Sequence, residues 1–284
     1  MGPKHDAHSW PQTRGLTPRG SPAALIQPDR AVPCSQVPDL TSPNLTALLD
    51  IQSGHVVALI GAGGKHTLMD RLGRELHEAG RPVVLTSTTN LHRHANFAAI
   101  GVVQTEVERD WVARLREAIE RDRRALLVGD DMGPAMFRGV DPETVVRTRR
   151  AVPDAVVIVK ADGARKRMLK APAAHEPVFP PDTDLCMLVQ TLAALGKPVN
   201  DHYVHRLDVV RNLTSDETIR TGTIVDVIRG GYLERLPPAR RALYLSCAAS
   251  PAALEDGQRI ADALKDAFDP RLCGDTINGT FVPS

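Results

Sequence analysis

An apolar run that breaks into glycines, a lysine and a helical pattern carries the residue types most directly suited to chemistry. It reads VVALIGAGGKHT over residues 56–67. Gly61, Gly63 and Gly64 can adopt backbone angles that other residues avoid, and they let an anion approach the main-chain N–H groups. Lys65 adds a mobile positive charge. We therefore predict a strand, a phosphate-binding loop and a helix, in that order.

The residues after this loop favour the helix. Leu68, Leu72 and Leu76 recur every four residues, a spacing that places side chains on one helical face, and Gly80 is a typical terminator. A phosphate at the start of the helix would meet unpaired N–H donors and the positive end of the helix dipole. Together these features are typical of a P-loop. The candidate cofactor-binding residues are Gly61, Ala62, Gly63, Gly64, Lys65, His66 and Thr67.

The loop departs from the standard P-loop pattern at two positions. Leu59 stands where the pattern has its first glycine, and His66 stands where it has the hydroxyl residue that binds magnesium. Thr67 follows one place later, about 100° further around the helix, and imidazole is a poorer magnesium ligand than oxygen. A structural glycine-rich turn and a Rossmann-type dinucleotide turn stay open as alternatives, although the latter needs a third glycine that is missing here.

The next predicted strand ends in TSTTN, residues 86–90. Ligands of open parallel sheets gather at the carboxyl ends of the strands, so Thr88 and Thr89 would face the same crevice as the loop. Their hydroxyls suit phosphate or a metal-bound water. A helix N-cap or a strand-end turn is the alternative interpretation.

A third candidate segment, DAVVIVKADGARKRMLKAPAAHEPVFP, covers residues 154–180. Its apolar strand leads into Asp162, an arrangement by which P-loop proteins present a carboxylate to magnesium. Positive residues are dense after it, and a solvated surface loop or a clamp for an anion would both explain them. These residues are Lys160, Arg165, Lys166, Arg167 and Lys170.

Two pairs of titratable residues follow this basic segment. Prolines flank His175 and Glu176 in KAPAAHEP and restrict where the two side chains can point. His205 and Arg206 come later, in GKPVNDHYVHR. Together with Arg165 and Lys170, these residues are the candidates for binding a second substrate or a partner.

The chain as a whole predicts an α/β protein. The predicted strands lie near 56–60, 82–87, 125–129, 155–161, 185–189 and 242–247, and the predicted helices cover 66–79, 108–121, 215–229 and 251–267. Strands such as VVALI and ALYLS are almost wholly apolar, as expected where helices cover both sheet faces. We predict a doubly wound, mostly parallel sheet with helices on both faces.

Composition sets the domain organisation and excludes several function classes. Residues 1–43 hold eight of the 22 prolines and few periodic apolar positions, so we predict a disordered tail before a single domain at 44–284. A net charge of +1 gives no overall attraction to nucleic acid or membrane. No apolar run reaches the roughly 20 residues of a membrane span, and the N-terminus lacks a signal-peptide core. We therefore expect a cytoplasmic protein without nucleic-acid or membrane partners.

In their order along the chain, VVALIGAGGKHT, TSTT, ADGARKRMLKAPAAHEPVFP and GKPVNDHYVHR resemble the YqeC-type proteins. Those proteins are described as selenium cofactor biosynthesis proteins or accessory proteins of selenium-dependent molybdenum hydroxylases. The resemblance runs from about residue 44 into the 220s. It implies a P-loop NTPase-like fold and a role in maturing molybdenum hydroxylases, with the hydroxylase or its cofactor-insertion machinery as the partner.

The resemblance also shows where this chain differs. The family loop usually reads G-K-T-T, where this chain has His66, and its E-A-D-G block usually supplies a glutamate, where this chain has Lys160. The family's strand-end lysine is Asn90 here. These differences predict a weakened magnesium site, while phosphate binding through Lys65 and the loop amides is unaffected.

Three hypotheses for function follow. In the first, the protein binds ATP or GTP, or a phosphate-bearing cofactor, and can act as an NTPase. Its catalytic residues are then Lys65 and Asp162, its metal ligands Asp162 and Thr67, and Thr88 or Thr89 assists. In the second, it is a pseudo-NTPase that carries a molybdopterin-type cofactor without hydrolysis. In the third, it is a kinase or ligase acting on a small acid.

Overall fold

One large sheet carries the fold of the computed structural model, which describes residues 44–93, 97, 100–276 and 280–283. The strands are β1 (Val56–Ala62), β2 (Val83–Ser87), β3 (Leu91–His92), β4 (Val102–Gln104), β5 (Arg124–Val128), β6 (Met136–Phe137), β7 (Val156–Lys160), β8 (Leu169–Lys170), β9 (Leu185–Thr191), β10 (Val204–His205), β11 (Arg240–Ser246), β12 (Arg271–Asp275) and β13 (Thr280–Pro283). Nine of them form the sheet in the order β13-β12-β11-β9-β1-β7-β2-β5-β4. Every pairing in it is parallel except that of β12 with β13.

Helices follow most of the parallel strands, as crossover connections require. They are α1 (Leu45–Leu48), α2 (Lys65–Glu78), α3 (Trp111–Asp122), α4 (Pro142–Ala151), α5 (Leu207–Arg211), α6 (Thr221–Gly231) and α7 (Pro251–Ala263). Within the described ranges, none of them combines the length and the apolarity that a membrane span requires. The described residues belong to one compact unit. The predicted tail, residues 1–43, lies outside the described residues.

The apolar side chains of β1 are shared between two cores. Val57 and Leu59 pack in a cluster with the leucines of α2, whereas Ala58 and Ile60 pack in another with apolar residues of α6 and α7. A third cluster joins α3 and α4 to β2, β5 and β7. Alternate residues of a strand point to opposite faces, so an apolar run is needed where both faces are covered. The predicted doubly wound, mostly parallel P-loop NTPase-like fold is confirmed.

The strand, loop and helix predicted around residues 56–79 are also confirmed. β1 ends at Ala62, and α2 begins at Lys65 with Gly64 as its N-cap residue. At the other end of α2, the Gly80 N–H donates to the His77 carbonyl at 2.9 Å, with φ of +70° at Gly80. Gly80 therefore ends the helix as predicted.

Some predicted helix bounds were wrong. The helix predicted over 215–229 begins only at Thr221. The main chain before it hydrogen-bonds to another segment, since the Ile219 N–H donates to the Lys197 carbonyl at 2.8 Å. The helix predicted over 108–121 begins at Trp111, since the Asp110 carboxylate accepts from the Ala113 N–H at 3.1 Å and caps it. The helix predicted over 251–267 is α7, which ends at Ala263.

Several elements of the structure were not predicted from the sequence. The helix α4 carries few apolar residues, and the strand β12 reads RLCGD, which is too short and too polar to stand out as a buried strand. β12 becomes a strand because it extends the sheet beyond β11, where Leu272 and Cys273 pair in parallel with Tyr244 and Leu245. Such a tertiary contact overrides weak local preference.

Gly61 provides a test of this architecture, because β1 passes very close to β9 there. A Cβ atom added at Gly61 would lie 2.2 Å from the Val189 carbonyl oxygen, and φ is +97°. We expect Gly61→Ala to lower the free energy of unfolding by more than about 3 kcal/mol, from the left-handed backbone and the clash together. Urea denaturation measures the loss.

Gly80→Ala is the matched control for Gly61→Ala. Gly80 also has a positive φ, of +70°, but nothing lies within 4 Å of the added Cβ. It should lose only roughly 1–2 kcal/mol, the cost of the left-handed backbone alone. Equal losses in the two variants would contradict the close approach of β1 and β9.

Candidate functional site

The phosphate loop, defined as residues 61–67, lies at the carboxyl edge of the sheet between β1 and α2. Gly61, Gly63 and Gly64 have φ values of +97°, +79° and +92°, which glycine alone adopts without strain. The loop is enclosed by neighbouring strand ends: a Cβ at Gly63 would meet the Thr191 side chain at 2.3 Å, and one at Gly64 would lie 3.3 Å from the Ser246 hydroxyl. The loop is therefore a preformed cradle next to the start of a helix, the arrangement that binds phosphate.

Lys65 closes back over this cradle. Its ammonium donates to the Gly61 carbonyl and forms an ion pair with Asp162 Oδ1 at 3.0 Å, and its side chain is only 5% exposed. Burial lowers the pKa of Lys65, and the opposing effect of Asp162 does not restore it. A phosphate entering the loop would draw the Lys65 ammonium outward, because the phosphate and the Asp162 carboxylate compete for the same positive charge.

Asp162 is the central residue of the site and is fully buried. Its Oδ2 accepts from the Gly61 N–H at 3.0 Å, from Lys170 Nζ at 3.0 Å and from the Tyr232 hydroxyl at 3.2 Å. Burial by itself would raise the pKa of Asp162, but Lys65 and Lys170 keep it below its usual value. Asp162 is thus an ionised carboxylate whose two oxygens already have cationic partners.

The ion pairs continue away from the loop as a chain of five alternating charges. Lys170 Nζ lies 2.9 Å from Glu176 Oε2, and that oxygen lies 3.2 Å from Arg206 Nη2. Lys170 is completely buried and Glu176 is 9% exposed, whereas Arg206 is 28% exposed. We call Lys65, Asp162, Lys170, Glu176 and Arg206 the ion-pair chain. It holds three cations and two anions, so it can accept one further negative charge.

Lys160, which the sequence indicated only as one of several basic residues of a surface loop or an anion clamp, is a separate functional candidate in the structure. Its ammonium, at the end of β7, donates to Thr89 Oγ1 at 2.6 Å and to the Asn90 carbonyl at 3.0 Å. No carboxylate lies within ion-pair distance of it in the described part of the chain. Burial, and then repulsion by Lys65, lower the pKa of Lys160 to about 7. In the sequence, the only sign of an unusual role was that Lys160 stands where the family usually has a glutamate. The burial of Lys160 depends on the tertiary structure.

The two threonines after β2 have different surroundings. Thr89 contacts Lys160, as described above, whereas the Thr88 hydroxyl donates to the Val178 carbonyl at 2.6 Å. β2 and β7 end side by side, since Ser87 pairs with Lys160 across them. That Thr88 and Thr89 face the same crevice as the loop stays a prediction. The Thr88 hydroxyl thus holds the segment directly after Glu176, and its hydrogen is not available to a ligand.

These contacts bear on the predicted magnesium site. To bind a metal ion, Asp162 would have to exchange the ammonium groups of Lys65 and Lys170 for it. His66, at the position of the usual hydroxyl ligand, lies on the first turn of α2 with its ring 6.4 Å from that of Phe97. Thr67 follows it on the same helix. Across the described residues, no three His, Cys, Asp or Glu side chains converge to hold a metal. Both Asp162 oxygens thus face ammonium groups in this arrangement, and the metal roles of Asp162 and Thr67 stay predictions.

The predicted substrate-binding residues are only partly brought together. Lys170 and Glu176 are interior members of the ion-pair chain, and His175 is an exposed surface residue. Arg165, His205 and Arg206 border an open cleft of about 630 Å³. We call it the arginine cleft, and its lining consists of Arg165, Asp201, His205, Arg206, Leu207, Asp208 and Arg211.

Comparison with known proteins identifies the family. Residues 57–208 match the model of the family described as YqeC protein. The chain is 25% identical over 194 residues to the uncharacterized protein YqeC of Escherichia coli strain K12, and the match covers 66% of this chain and 74% of that protein. Since the family match extends over more than half of the chain, the protein belongs to the YqeC family.

Solved structures similar to this chain include two FtsY proteins. The cell division protein FtsY of Thermotoga maritima is 15% identical with a TM-score of 0.40, over 82% of this chain and 66% of that one. The chloroplast FtsY of Physcomitrella patens is 12% identical, also with a TM-score of 0.40, over 81% of this chain and 61% of that one. This chain thus spans less than two thirds of either FtsY chain.

Lys160 makes the stability of the protein depend on pH in a defined direction. Its folded-state pKa of about 7 lies below the ordinary value of 10.5, so between these pH values the unfolded chain binds more protons, and this group favours folding increasingly as pH rises. We expect the free energy of unfolding of Lys160→Met, minus that of the wild type, to be greatest at pH 7 and below. As the pH rises towards 10.5, the wild type gains stability and this difference should shrink by up to about 1.4 kcal/mol per pH unit.

Urea denaturation across this pH window measures the difference for each variant. Lys166→Met, which removes an exposed lysine of the nearby loop, is the control for the loss of a lysine charge at the surface. A pH-independent difference for Lys160→Met would show that Lys160 is not buried as a lysine of low pKa.

Proposed function

We propose that this member of the YqeC family binds a nucleoside triphosphate, ATP or GTP, or another phosphate-bearing cofactor through the phosphate loop. The observation that carries the proposal is the cradle itself. Gly61, Gly63 and Gly64 all have positive φ directly before α2, and Lys65 lies over them. Three such glycines are costly to order and are explained by an anion that approaches the main chain closely.

The charges around the loop support an anionic ligand. The ion-pair chain has one more cation than anion, and Lys160 adds a further buried amine whose protonation an incoming phosphate would favour. In the proposed complex the loop amides and Lys65 hold the phosphates. Asp162, through its bond from the Gly61 N–H, keeps the loop in shape while Lys65 turns outward.

The contacts of Asp162 favour binding over magnesium-dependent hydrolysis. A magnesium ion needs oxygen ligands with free lone pairs, and the Asp162 oxygens face Lys65, Lys170 and Tyr232. The pseudo-NTPase that carries a molybdopterin-type cofactor is therefore the second candidate function. An NTPase remains part of the first proposal only if ligand binding rearranges these ion pairs.

Beyond binding, we propose a role in the maturation of molybdenum hydroxylases, including selenium-dependent ones. Membership of the family and the resemblance of the A-D-G and K-A-P-A-A-H-E-P segments to the YqeC-type proteins support this role. The partner is then a molybdenum hydroxylase or its cofactor-insertion machinery, and the protein acts in the cytoplasm.

Isothermal titration of the full chain with ATP and with GTP, each with and without magnesium, tests the binding proposal. We expect saturable binding that Lys65→Ala weakens by about 10- to 100-fold, the effect of losing one charged hydrogen-bond donor. Lys166→Ala is the matched control and should bind as wild type does. Phosphate release is measured on the same samples.

The outcomes separate the hypotheses. Lys65-dependent binding with phosphate release that requires magnesium would establish an NTPase. It would contradict the proposal that the contacts of Asp162 favour binding over magnesium-dependent hydrolysis. Lys65-dependent binding without release, and without a magnesium effect, would support the cofactor-carrying role. No binding of either nucleotide, or binding indifferent to Lys65→Ala, would refute nucleotide recognition by the loop.

The maturation role needs its own test in the source organism. Deleting the gene should lower the activity and the molybdenum content of a molybdenum hydroxylase purified from the cells, since the cofactor would not be completed or inserted. A plasmid copy should restore both, the Lys166→Ala copy equally well and the Lys65→Ala copy poorly. Full hydroxylase activity in the deletion strain would rule this role out.

A further inference from the structure

The arginine cleft is a second concave basic region, separate from the phosphate loop. Its volume of about 630 Å³ is within the range of small-molecule sites. We propose that it binds a small anionic molecule that carries a carboxylate or phosphate group together with hydroxyl or amine donors. The proposal concerns a different site from the nucleotide proposal and does not depend on it.

Arg165 and Arg206 present guanidinium groups to this cleft in a form suited to an oxyanion. Arg165 is exposed and has no ion-pair partner among the described residues. Arg206 directs Nε and Nη2 at Glu176, at 3.3 and 3.2 Å, which leaves Nη1 without a bond to this carboxylate. A guanidinium fixed along one edge keeps its other edge ready for a planar or tetrahedral oxyanion, at little further cost in entropy.

The backbone that carries these arginines is held in an unfavourable conformation. Arg165, Lys166 and Arg206 have φ values of +47°, +61° and +63°, and they are three of the six non-glycine residues with positive φ in the described part of the chain. Each such residue costs on the order of 1 kcal/mol or more, and this kind of strain concentrates at ligand-binding sites. Here it places two arginines from distant parts of the chain at one cleft.

His205 adds an uncharged hydrogen-bonding group. It pairs with Lys170 where β10 meets β8, and burial, followed by repulsion from Arg206 and Lys170, lowers its pKa to about 4. Glu176 and Arg165 are the other charged groups that influence it. The imidazole is therefore neutral near pH 7, and a bound anion would raise its pKa by offsetting the nearby cations.

The acidic lining residues narrow the class of ligand. Asp201 and Asp208 are exposed on the same lining as the arginines, so a bare anion would meet both attraction and repulsion. A ligand that also carries hydroxyl or amine donors would satisfy these carboxylates. Arg211 contributes less to the anion, because it forms a bidentate pair with Glu217 at 2.7 and 3.1 Å.

Nuclear magnetic resonance of histidine side chains tests the cleft directly. The full chain, labelled with 15N at histidine, is titrated with inorganic phosphate, malonate and glycerol 3-phosphate, and a His205→Gln spectrum assigns the His205 signals. We expect saturable shifts of His205 and a rise of its apparent pKa above about 4. Glycerol 3-phosphate should bind more tightly than inorganic phosphate, because it adds hydroxyl donors for the aspartates.

Variants decide whether the cleft is responsible. Arg165→Ala should weaken the effect at His205 by about 10-fold or more. Arg259→Ala, which removes an exposed arginine of α7 outside the cleft, should have no effect. A response to malonate alone would identify a carboxylate ligand, and a response to the two phosphates alone a phosphate ligand.

The proposal is overturned if none of the three anions shifts His205 saturably, or if Arg165→Ala leaves the shifts unchanged. Arg165 lines the cleft and not the loop, so the comparison with Arg165→Ala separates an anion in the cleft from an anion at the loop that His205 would feel through Lys170 and Glu176. Shifts that depend on Arg165 would stand whether or not the loop binds a nucleotide.

Discussion

The buried carboxylate of Asp162 is the interaction on which the rest of the site depends. It joins the Gly61 N–H at the loop, Lys65 at the start of α2, Lys170 in β8 and Tyr232 at the end of α6. Removing such a charge from water costs several kcal/mol, which is offset only when the ion is paired and fully hydrogen-bonded. Each partner of Asp162 comes from a different element, so the pairing fixes the relative positions of the elements that form the site.

The sheet explains why these elements meet. Its central strands are parallel, so the segments after β1, β7, β9 and β11 all emerge at one edge. The phosphate loop lies in the middle of that edge, touching the ends of β9 and β11 at Thr191 and Ser246. The short β8 and β10 pair then carries the ion-pair chain outward, from Lys170 to the strand that holds His205. One architecture thus produces a closed loop and an open cleft that share a buried network of charges.

The balance of charge in this network links the two proposed sites in physical terms. An anion at the loop would draw Lys65 from Asp162, and the change would be felt by Lys170 and Glu176, because buried ion pairs are poorly screened. Arg206 is the last member of the chain and also lines the cleft. Lys160, whose pKa is about 7, is the group nearest to changing its charge when the loop is filled. These groups form a continuous electrostatic path between a phosphate cradle and a basic cleft.

Local sequence determined the strand, loop and helix around Lys65, the doubly wound class and the segments that carry the family resemblance, because hydrophobic periodicity and glycine spacing act over a few residues. It also pointed to Asp162 and Arg206 as site residues. Only the tertiary structure decided that Asp162 lies between Lys65 and Lys170, that Lys160 is buried, and that His175 is exposed while His205 borders the cleft. Charge state and partner choice depend on burial and on neighbours distant in the chain, which no local pattern of residues encodes.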